Sequence, residues 1–552
     1  MVSSYSRTRE RNQNLFAAWE KLDPKVFDTL NVSLEATKAA QTGLQGYIVL
    51  PGMPDYNEDR KIFNPIFDSY PVMIIYCEVE SDVAIALDYA TTCGLLFCLR
   101  SGGHCTAGFS TGPGVLIDVK SLDSVHIDPL VKTATVGCGV DFGSFNKTLN
   151  QYGLHVPGGE CPDVCIGGYV QGGGYGFTSV KYGMNCDNVL SMRVMLADGS
   201  IVTASKQQNV DLMWAMLGGT GGNFGVLLSV TYQLHDLDTA YGWALIWKLD
   251  TPDDIQKAAD AMMLLQSDYM LSGNCDPNMT IQVSLCFQSQ IYVDQPPPPN
   301  TPLTPFFMVR GLYVGSSEDG AQAIAPLQAL PGCITQWTKT ARYIVLNDEL
   351  LNVPQSMPML DQIPFEDKAS RYVEAMLTNA DWYELIAYFT LAPVNMAYMY
   401  LEFYGGAINS VPTYDTAFVH RNAAYDAVMD VYWVDSDDQA KCEAFLDGWK
   451  ALMEPHWNGE IYQNYASLSA PDYTVNYWGG AVPFLSLIKT KYDPNNVFTF
   501  AQQVPQVSVL GDAAPDLSDF PEHLVKAARG DINFAGGVMG ANASLLASKS
   551  AD

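Results

Sequence analysis

No uninterrupted apolar stretch in this 552-residue chain is long enough to span a bilayer, so no membrane partner is expected. The first twelve residues, M-V-S-S-Y-S-R-T-R-E-R-N, lack the apolar core of a secretory signal. The expectation is a cytoplasmic protein, with secretion left open if the natural chain was trimmed. Basic residues are scarce: 30 Lys and Arg stand against 60 Asp and Glu, a formal net charge of −30. Such a surface repels nucleic acid and anionic lipid, which excludes both as natural partners. Charged residues of both signs make up only 16%, beside 48% hydrophobic. That composition excludes a disordered chain and supports a large core spread over more than one domain. Twelve cysteines are scattered without zinc spacing, and no second pair follows the C-x-x-x-C of Cys161 and Cys165. Neither a metal site nor a small disulfide framework is expected. No internal repeat is visible.

Two glycine-rich segments stand out. One reads R-S-G-G-H (Arg100, Ser101, Gly102, Gly103, His104). The other runs G-G-E-C-P-D-V-C-I-G-G-Y-V-Q-G-G-G-Y-G from Gly158 to Gly176. Glycine lets backbone N–H groups approach a pyrophosphate or a flat ring closely. Each segment also carries a nucleophile, His104 in the first and Cys161 or Cys165 in the second. Imidazole and thiolate add readily to an electrophilic oxidised flavin. The Gly218–Gly225 run has the composition of a nicotinamide fingerprint, but it follows a helical pattern and does not join a strand to a helix, which excludes that reading.

Periodicity gives a coarse layout. Residues 1–45 are polar and helical in pattern, an N-terminal arm. Pro71–Glu78, Leu95–Leu99, Gly114–Val119, Thr133–Cys138 and Val226–Leu234 read as strands. Ser81–Cys93 and Phe142–Tyr152 read as helices. Val189–Leu196 and Ile201–Ala204 flank an A-D-G turn and read as a hairpin. Beyond residue 235, strand-like runs (Met279–Cys286, Phe306–Val314, Met396–Phe403) alternate with expected helices (Pro252–Leu271, Val419–Tyr432, Ala440–Met453). An antiparallel sheet covered by helices is the simplest arrangement. The four prolines at 296–299 suggest a stiff exposed loop.

Four blocks in order carry a resemblance. They are Arg100–His104, Cys161–Gly176, D-L-M-W-A-M-L-G-G-T-G-G-N-F-G (Asp211–Gly225), and Y-Q-N-Y (Tyr462–Tyr465) followed by K-Y-D-P-N-N-V-F (Lys491–Phe498). On these the chain resembles the berberine-bridge-enzyme-like group of PCMH-type flavoproteins. The resemblance implies an α+β fold: a two-subdomain PCMH-type FAD-binding domain with an inserted antiparallel-sheet substrate domain covered by helices. It divides the chain into the arm (1–45), the FAD-binding domain (46–234), the substrate domain (235–458), a segment completing the FAD domain (459–505), and an extension (506–552) with no functional account. Relatives are often secreted, so the missing signal is a departure.

The resemblance implies an FAD-dependent oxidase that oxidises a CH–OH group of a sugar or bulky secondary metabolite and reduces O2 to hydrogen peroxide. An oxidative cyclase, a dehydrogenase, and a flavin-binding protein without turnover are the alternatives. FAD would be attached through His104 to the 8α-methyl carbon and through Cys161 to ring carbon 6, with Cys165 as the rival cysteine. Arg100, Ser101, Gly102, Gly103, Gly167, Gly168, Gly172, Gly173 and Gly225 would form its bed. Val164 matches the position that controls oxygen access and resembles the oxidases. Tyr465 matches a catalytic tyrosine and Tyr175 a second tyrosine of the same pocket. The lysine and glutamine (or glutamate) that relatives carry shortly after F-P-H-R fall here, after F-V-H-R, on Ala427 and Met429. The helper charge is therefore expected to be missing. Glu402 is the alternative base or a substrate-binding group, and strand alternation would set Tyr400, Glu402 and Tyr404 on one face.

Overall fold

The computed structural model describes residues 4–23, 25–26, 33–271, 275–289, 303–352, 363–509 and 516–530. The tetraproline run lies outside them, as does the extension beyond 530. The apolar runs of the first half build two sheets. In one, Met73–Tyr76 and Phe97–Arg100 run parallel to Val115–Asp118 on either side, and Tyr47–Val49 adds an antiparallel edge. The crossover is the helix Glu80–Thr92, which buries Val83, Ala86, Leu87 and Ala90 at helical spacing. The second sheet is antiparallel, in the order Val125–Asp128, Thr133–Gly137, Val226–Gln233, Val189–Met195, Ile201–Ser205. The expected hairpin is its last pair. The N-terminal segment is knitted into this half more firmly than an arm implies. Trp19 is buried, and Gln41 of the helix Leu34–Gly43 accepts from Ile48 N at 2.7 Å and donates to Gly46 O at 3.0 Å.

The third major sheet has seven antiparallel strands, in the order Ile334–Arg342, Thr239–Lys248, Leu303–Tyr313, Met279–Ser289, Ala397–Phe403, Tyr425–Trp433, Phe365–Val373. Its two faces differ because side chains alternate along a strand. Val283, Leu285, Val309, Met399, Leu401, Met429 and Val431 form one core with the helices Pro252–Leu265, Asn379–Phe389 and Gln439–Met453. The opposite face carries Gln282, Arg310, Glu402, Tyr400, Lys368 and Asp430 toward a cavity.

Two expected helices are corrected. Val419–Tyr432 is a loop followed by the strand Tyr425–Trp433. Its apolar Ala427, Met429 and Val431 alternate with Asp426 and Asp430, a period of two that cross-strand pairing on both sides enforces. Pro252–Leu271 is α-helical only to Leu265 and ends in a π turn, Gln266–Met270. There the Gln266 side chain grips the Leu377 backbone in both directions, at 2.8 and 3.0 Å.

Residues 460–505 pack back onto the first half. Asp493, from K-Y-D-P-N-N-V-F, accepts the N–H groups of Val497 and Phe498 and pairs with buried Lys489 at 2.7 Å. Lys489 also donates to Asn223 O at 2.8 Å. The third and fourth sequence blocks are thereby joined. Part of the C-terminal extension is folded too: the helix Glu522–Arg529 packs near Val210–Met216, where Lys491 bridges Ala527 O and Asp211.

Candidate active site

The cavity between the glycine loops and the seven-stranded sheet measures about 1640 Å³. A site for one drug-sized ligand is typically about 300–1,000 Å³, so this one has room for a dinucleotide cofactor and a substrate. Of the residues expected to bind cofactor, Ser101, Gly102, Gly103, His104, Cys161, Val164, Gly167, Gly168 and Gly225 line it. Arg100, Gly172 and Gly173 do not. Arg100 is buried behind the wall, with Nε donating to Asp118 Oδ2 at 2.5 Å and Nη1 to Asp59 O at 2.7 Å. That pins the base of the His104 loop. Gly172 and Gly173 serve close packing: a Cβ on Gly172 would stand 2.0 Å from Asn464 Oδ1, and one on Gly173 would stand 2.6 Å from the Phe418 ring.

His104 stacks against Phe63 at 4.8 Å between ring centroids, and burial lowers its pKa, leaving a neutral imidazole. The two candidate cysteines differ. Cys161 faces the open cavity, where the enclosing walls and then the Glu160 charge push its thiol up to about 11. Cys165 is 3% exposed and donates to Gly139 O at 3.2 Å. Burial pushes it up to about 12, and its sulfur packs beneath Gly102.

The F-V-H-R and Y-Q-N-Y motifs act together. His420 meets Glu460 Oε2 through Nδ1 at 2.8 Å and Gln463 Oε1 through Nε2 at 3.0 Å. Asn464 donates to Tyr169 O and Tyr462 Oη, both at 3.0 Å, and Tyr462 Oη accepts Gly174 N at 2.9 Å. This lattice presents Tyr465 to the cavity, with Oη donating to Glu402 Oε1 at 2.7 Å. Burial, and then the Glu402 charge, raise Tyr465 well above the ordinary tyrosine value, so the resting side chain is a neutral phenol. Glu402 is also pushed well up, by burial first and then by Glu160 and Asp426, and its Oε2 has no partner among the described residues.

The other two expected residues form wall. Tyr175 lines the cavity, but its hydroxyl is committed to Phe403 O at 3.0 Å. Tyr404 lies behind Tyr175, stacked at 5.6 Å and bonded to Tyr372 Oη at 2.8 Å. It does not line the cavity, because the strand ends at Phe403 and alternation stops there.

Ala427 and Met429 face the helix side, and the expectation of a missing helper charge is corrected, because a cation reaches Tyr465 from the next strand. Lys368, paired in register with Asp430, lies 4.8 Å over the Tyr465 ring and 3.0 Å from both Glu366 and Asp430. Burial opposes its charge, but the two carboxylates outweigh burial and hold it protonated. Lys368, Glu366, Asp430, Glu160, Gln282 and Arg310 are all cavity residues that motif reading does not find. For all but Glu160, which stands in the second glycine-rich segment beside Cys161, the only sequence signal is polar alternation within apolar strands, legible once strand identity and register are known.

The residues fit an FAD. A side chain on Gly168 would meet nothing within 4 Å and would project into the cavity, whereas one on Gly167 would strike Cys138 O at 2.8 Å. The glycine loops therefore leave a flat, open bed. Ser110 lines the same cavity with a buried hydroxyl that has no partner among the described residues. No metal-holding cluster of His, Cys, Asp and Glu occurs among the described residues.

Comparison with known proteins agrees with this geometry. A family model described as "FAD binding domain" matches residues 71–205, and one described as "Berberine and berberine like" matches 461–505. The uncharacterized FAD-linked oxidoreductase YvdP of Bacillus subtilis is 27% identical over 481 residues, 84% of this chain and 99% of that protein. The xylooligosaccharide oxidase of Thermothelomyces thermophilus is 27% identical over 494 residues, covering 82% and 91%. The solved structure of wild-type Physcomitrella patens BBE-like 1 superposes with a TM-score of 0.72 at 23% identity, covering 85% of this chain and 99% of that one. The fold and site define an FAD-linked oxidoreductase. Within that class, the two family matches and the shared fold support a berberine-bridge-enzyme-like PCMH-type flavoprotein.

Proposed function

We propose that the protein is an oxidase carrying FAD attached through His104 and Cys161. It would oxidise a CH–OH group of a carbohydrate or a similarly hydroxylated metabolite and return the electrons to O2 as hydrogen peroxide. The observation that carries this reading is the 2.7 Å bond from Tyr465 Oη to Glu402 Oε1. It lies in the cavity that His104 and Cys161 also line. Alcohol oxidation needs a group that takes the hydroxyl proton within hydrogen-bond reach.

When bound, FAD supplies the hydride acceptor. The chain's own side chains do the rest. Tyr465 takes the substrate's hydroxyl proton at Oη while handing its own proton to Glu402 Oε1. Lys368, over the ring, favours any negative charge that develops on the phenol oxygen. Tyr398, Tyr400, Tyr432 and Ser284, with the Glu366 and Asp430 carboxylates, make a wall of flat rings and hydroxyl-bonding groups. That chemistry suits a polyhydroxylated ring, and the relative named xylooligosaccharide oxidase supports the carbohydrate class. Val164, at the cavity wall, leaves space for oxygen.

The test is peroxide release on offering mono- and oligosaccharides and hydroxylated metabolites to the purified protein. Rapid reoxidation of substrate-reduced protein by air is expected. Reduction by substrate with slow air reoxidation would replace the oxidase with a dehydrogenase. No reduction by any of them would leave a flavin-binding protein.

A further inference from the structure

The Cys161 loop is held from two sides. Beyond the cysteine, Gly143 N donates to Pro162 O at 2.9 Å and Phe142 N to Val164 O at 3.0 Å, which fixes that end on the helix Phe142–Asn150. Before it, Gly158 and Gly159 lie flat on the Phe142 ring, where a Cβ would stand 2.6 or 3.0 Å from it. That contact has no direction, and neither glycine has a side chain to bond with. Among the described residues, the hydrogen bonds that tie Gly158–Glu160 to the rest of the chain are both made by Glu160. Gln282 Nε2 donates to its Oε1 at 3.2 Å, and Asn347 Nδ2 donates to its backbone carbonyl at 3.0 Å. We propose that Glu160 is the positioning residue that holds the Cys161 thiol in place for attachment to the flavin, by tying its loop to the seven-stranded sheet and to the helix Tyr343–Asn352. This rests on the covalent attachment proposed above.

Both partners of Glu160 are themselves aimed. Arg310 Nε donates to Gln282 Oε1 at 2.8 Å, which leaves the amide nitrogen of Gln282 for Glu160. Tyr343 Oη donates to Asn347 Oδ1 at 3.1 Å, which leaves the amide nitrogen of Asn347 for the Glu160 carbonyl. Gln282, Arg310, Tyr343 and Asn347 are all buried, so the clamp belongs to the packed body of the protein. One bond holds the side chain and the other the main chain of the same residue. Together they fix the place and the rotation of the peptide that leads into Cys161. The cysteine itself is exposed to the cavity. Attack on one carbon of a seated ring needs the sulfur within a narrow distance and angle, and a loop free to swing on two glycines rarely offers it. The clamp asks only for an acceptor oxygen at position 160, and an amide serves as well as a carboxylate.

The attachment balances without a proton passing to Glu160. The S–H bond breaks and its proton goes to solvent in the cavity. The sulfur lone pair forms the bond to ring carbon 6, and the hydrogen on that carbon leaves as a proton. The two electrons left on the ring pass to dioxygen, which with two protons becomes hydrogen peroxide. The linked flavin is again oxidised.

The test is peptide mass spectrometry of purified full-length Glu160→Ala, Glu160→Gln and Asn347→Ala beside the unchanged protein. The quantity read is the share of molecules linked at His104 that are also linked at Cys161, as isolated and during incubation in air. Flavin on the His104 peptide shows that a variant has folded and bound the cofactor. Glu160→Ala should form the Cys161 link about 10- to 100-fold more slowly, the cost of a displacement of about 1 Å. Glu160→Gln keeps both bonds and should link at least as fast as the unchanged protein. Asn347→Ala removes the main-chain bond from the other side and should be intermediate. A role as base or as charge predicts the loss in Glu160→Gln too, so slow linking in that variant would overturn the proposal. Linking at the unchanged rate in Glu160→Ala would also overturn it. If Glu160→Ala carries no flavin at all, Asn347→Ala decides in its place, and an unchanged rate there overturns the proposal. A Cys161 peptide free of flavin in the unchanged protein would instead overturn the covalent attachment itself.

Discussion

The ammonium of Lys368 sits 4.8 Å from the centre of the Tyr465 ring, although the two residues are 97 positions apart and lie on different elements. A cation over an aromatic face contributes roughly 0.5–2 kcal/mol, the larger figure when both groups are desolvated, as here. If that interaction grows as the phenol gives up its proton, Lys368→Met should slow flavin reduction by about 2- to 30-fold, the rate equivalent of that energy. The same change strips Glu366 and Asp430 of their shared partner. Leaving buried carboxylates unpaired costs about 3–5 kcal/mol, so the melting temperature should fall as well. Stopped-flow reduction measured well below that temperature separates the two effects. Unchanged reduction by the folded variant would make Lys368 a structural cation only.

Tyr465→Phe should lower the rate of flavin reduction by about 100- to 10,000-fold while substrate affinity changes little. The phenol is the group in reach of a hydroxyl, and its ring contacts survive the change. Glu402→Gln should slow reduction too, because an amide oxygen can accept the Tyr465 hydrogen bond but cannot take up its proton, while Tyr465→Phe, which removes the group that touches the hydroxyl, should be the larger loss. If Glu402→Gln is the more damaging, the carboxylate takes the proton directly.

The pH dependence follows from the direction of the Glu402 shift. Burial holds this carboxyl well above the ordinary glutamate value, so it is protonated, and unable to accept from Tyr465, at a pH where a solvent-exposed glutamate is already ionised. Flavin reduction should therefore rise with pH through a limb lying above the usual carboxylate range and level off once Glu402 is ionised. That limb should disappear in Glu402→Gln. A limb in the ordinary range in the unchanged protein would place the titration elsewhere.

The glycine loops, the two nucleophiles and the Y-Q-N-Y tyrosine are legible in the sequence because their chemistry is local. A turn needs glycine where backbone must approach, and a motif keeps its spacing. The sheet wall is not legible in that way. Lys368 reaches Tyr465 only because Phe365–Val373 pairs with Tyr425–Trp433 in one register. A helical reading of Val419–Tyr432 hides that pairing. Tyr404 shows the converse error: the alternation expected through Tyr400 and Glu402 stops when the strand ends at Phe403.

The choice between cysteines is a matter of mass. Cys161→Ser should leave flavin on the His104 peptide alone, so denatured protein stays yellow with one link. Cys165→Ser should keep both links, because that sulfur is turned into the wall toward Gly139 O. Two links in Cys161→Ser would transfer the role to Cys165.

Gly172 tests whether the catalytic tyrosine is positioned by the glycine turn. No side chain fits there: a Cβ would lie 2.0 Å from Asn464 Oδ1, well inside contact distance. Asn464 cannot retreat without giving up its bonds to Tyr169 O and Tyr462 Oη, the bonds that dock Y-Q-N-Y on the turn. Gly172→Ala should therefore cost about 1–3 kcal/mol by overpacking, read as a lower melting temperature. It should also slow flavin reduction beyond what a distant substitution of equal cost does, because Tyr465 follows Asn464 directly. Pairing Gly172→Ala with Asn464→Ala decides the mechanism. If the clash with Asn464 is the cause, the double variant should be less destabilised than the sum of the two single changes. Additive losses would mean that the turn fails for another reason and that Tyr465 takes its position from His420 and Gln463 alone.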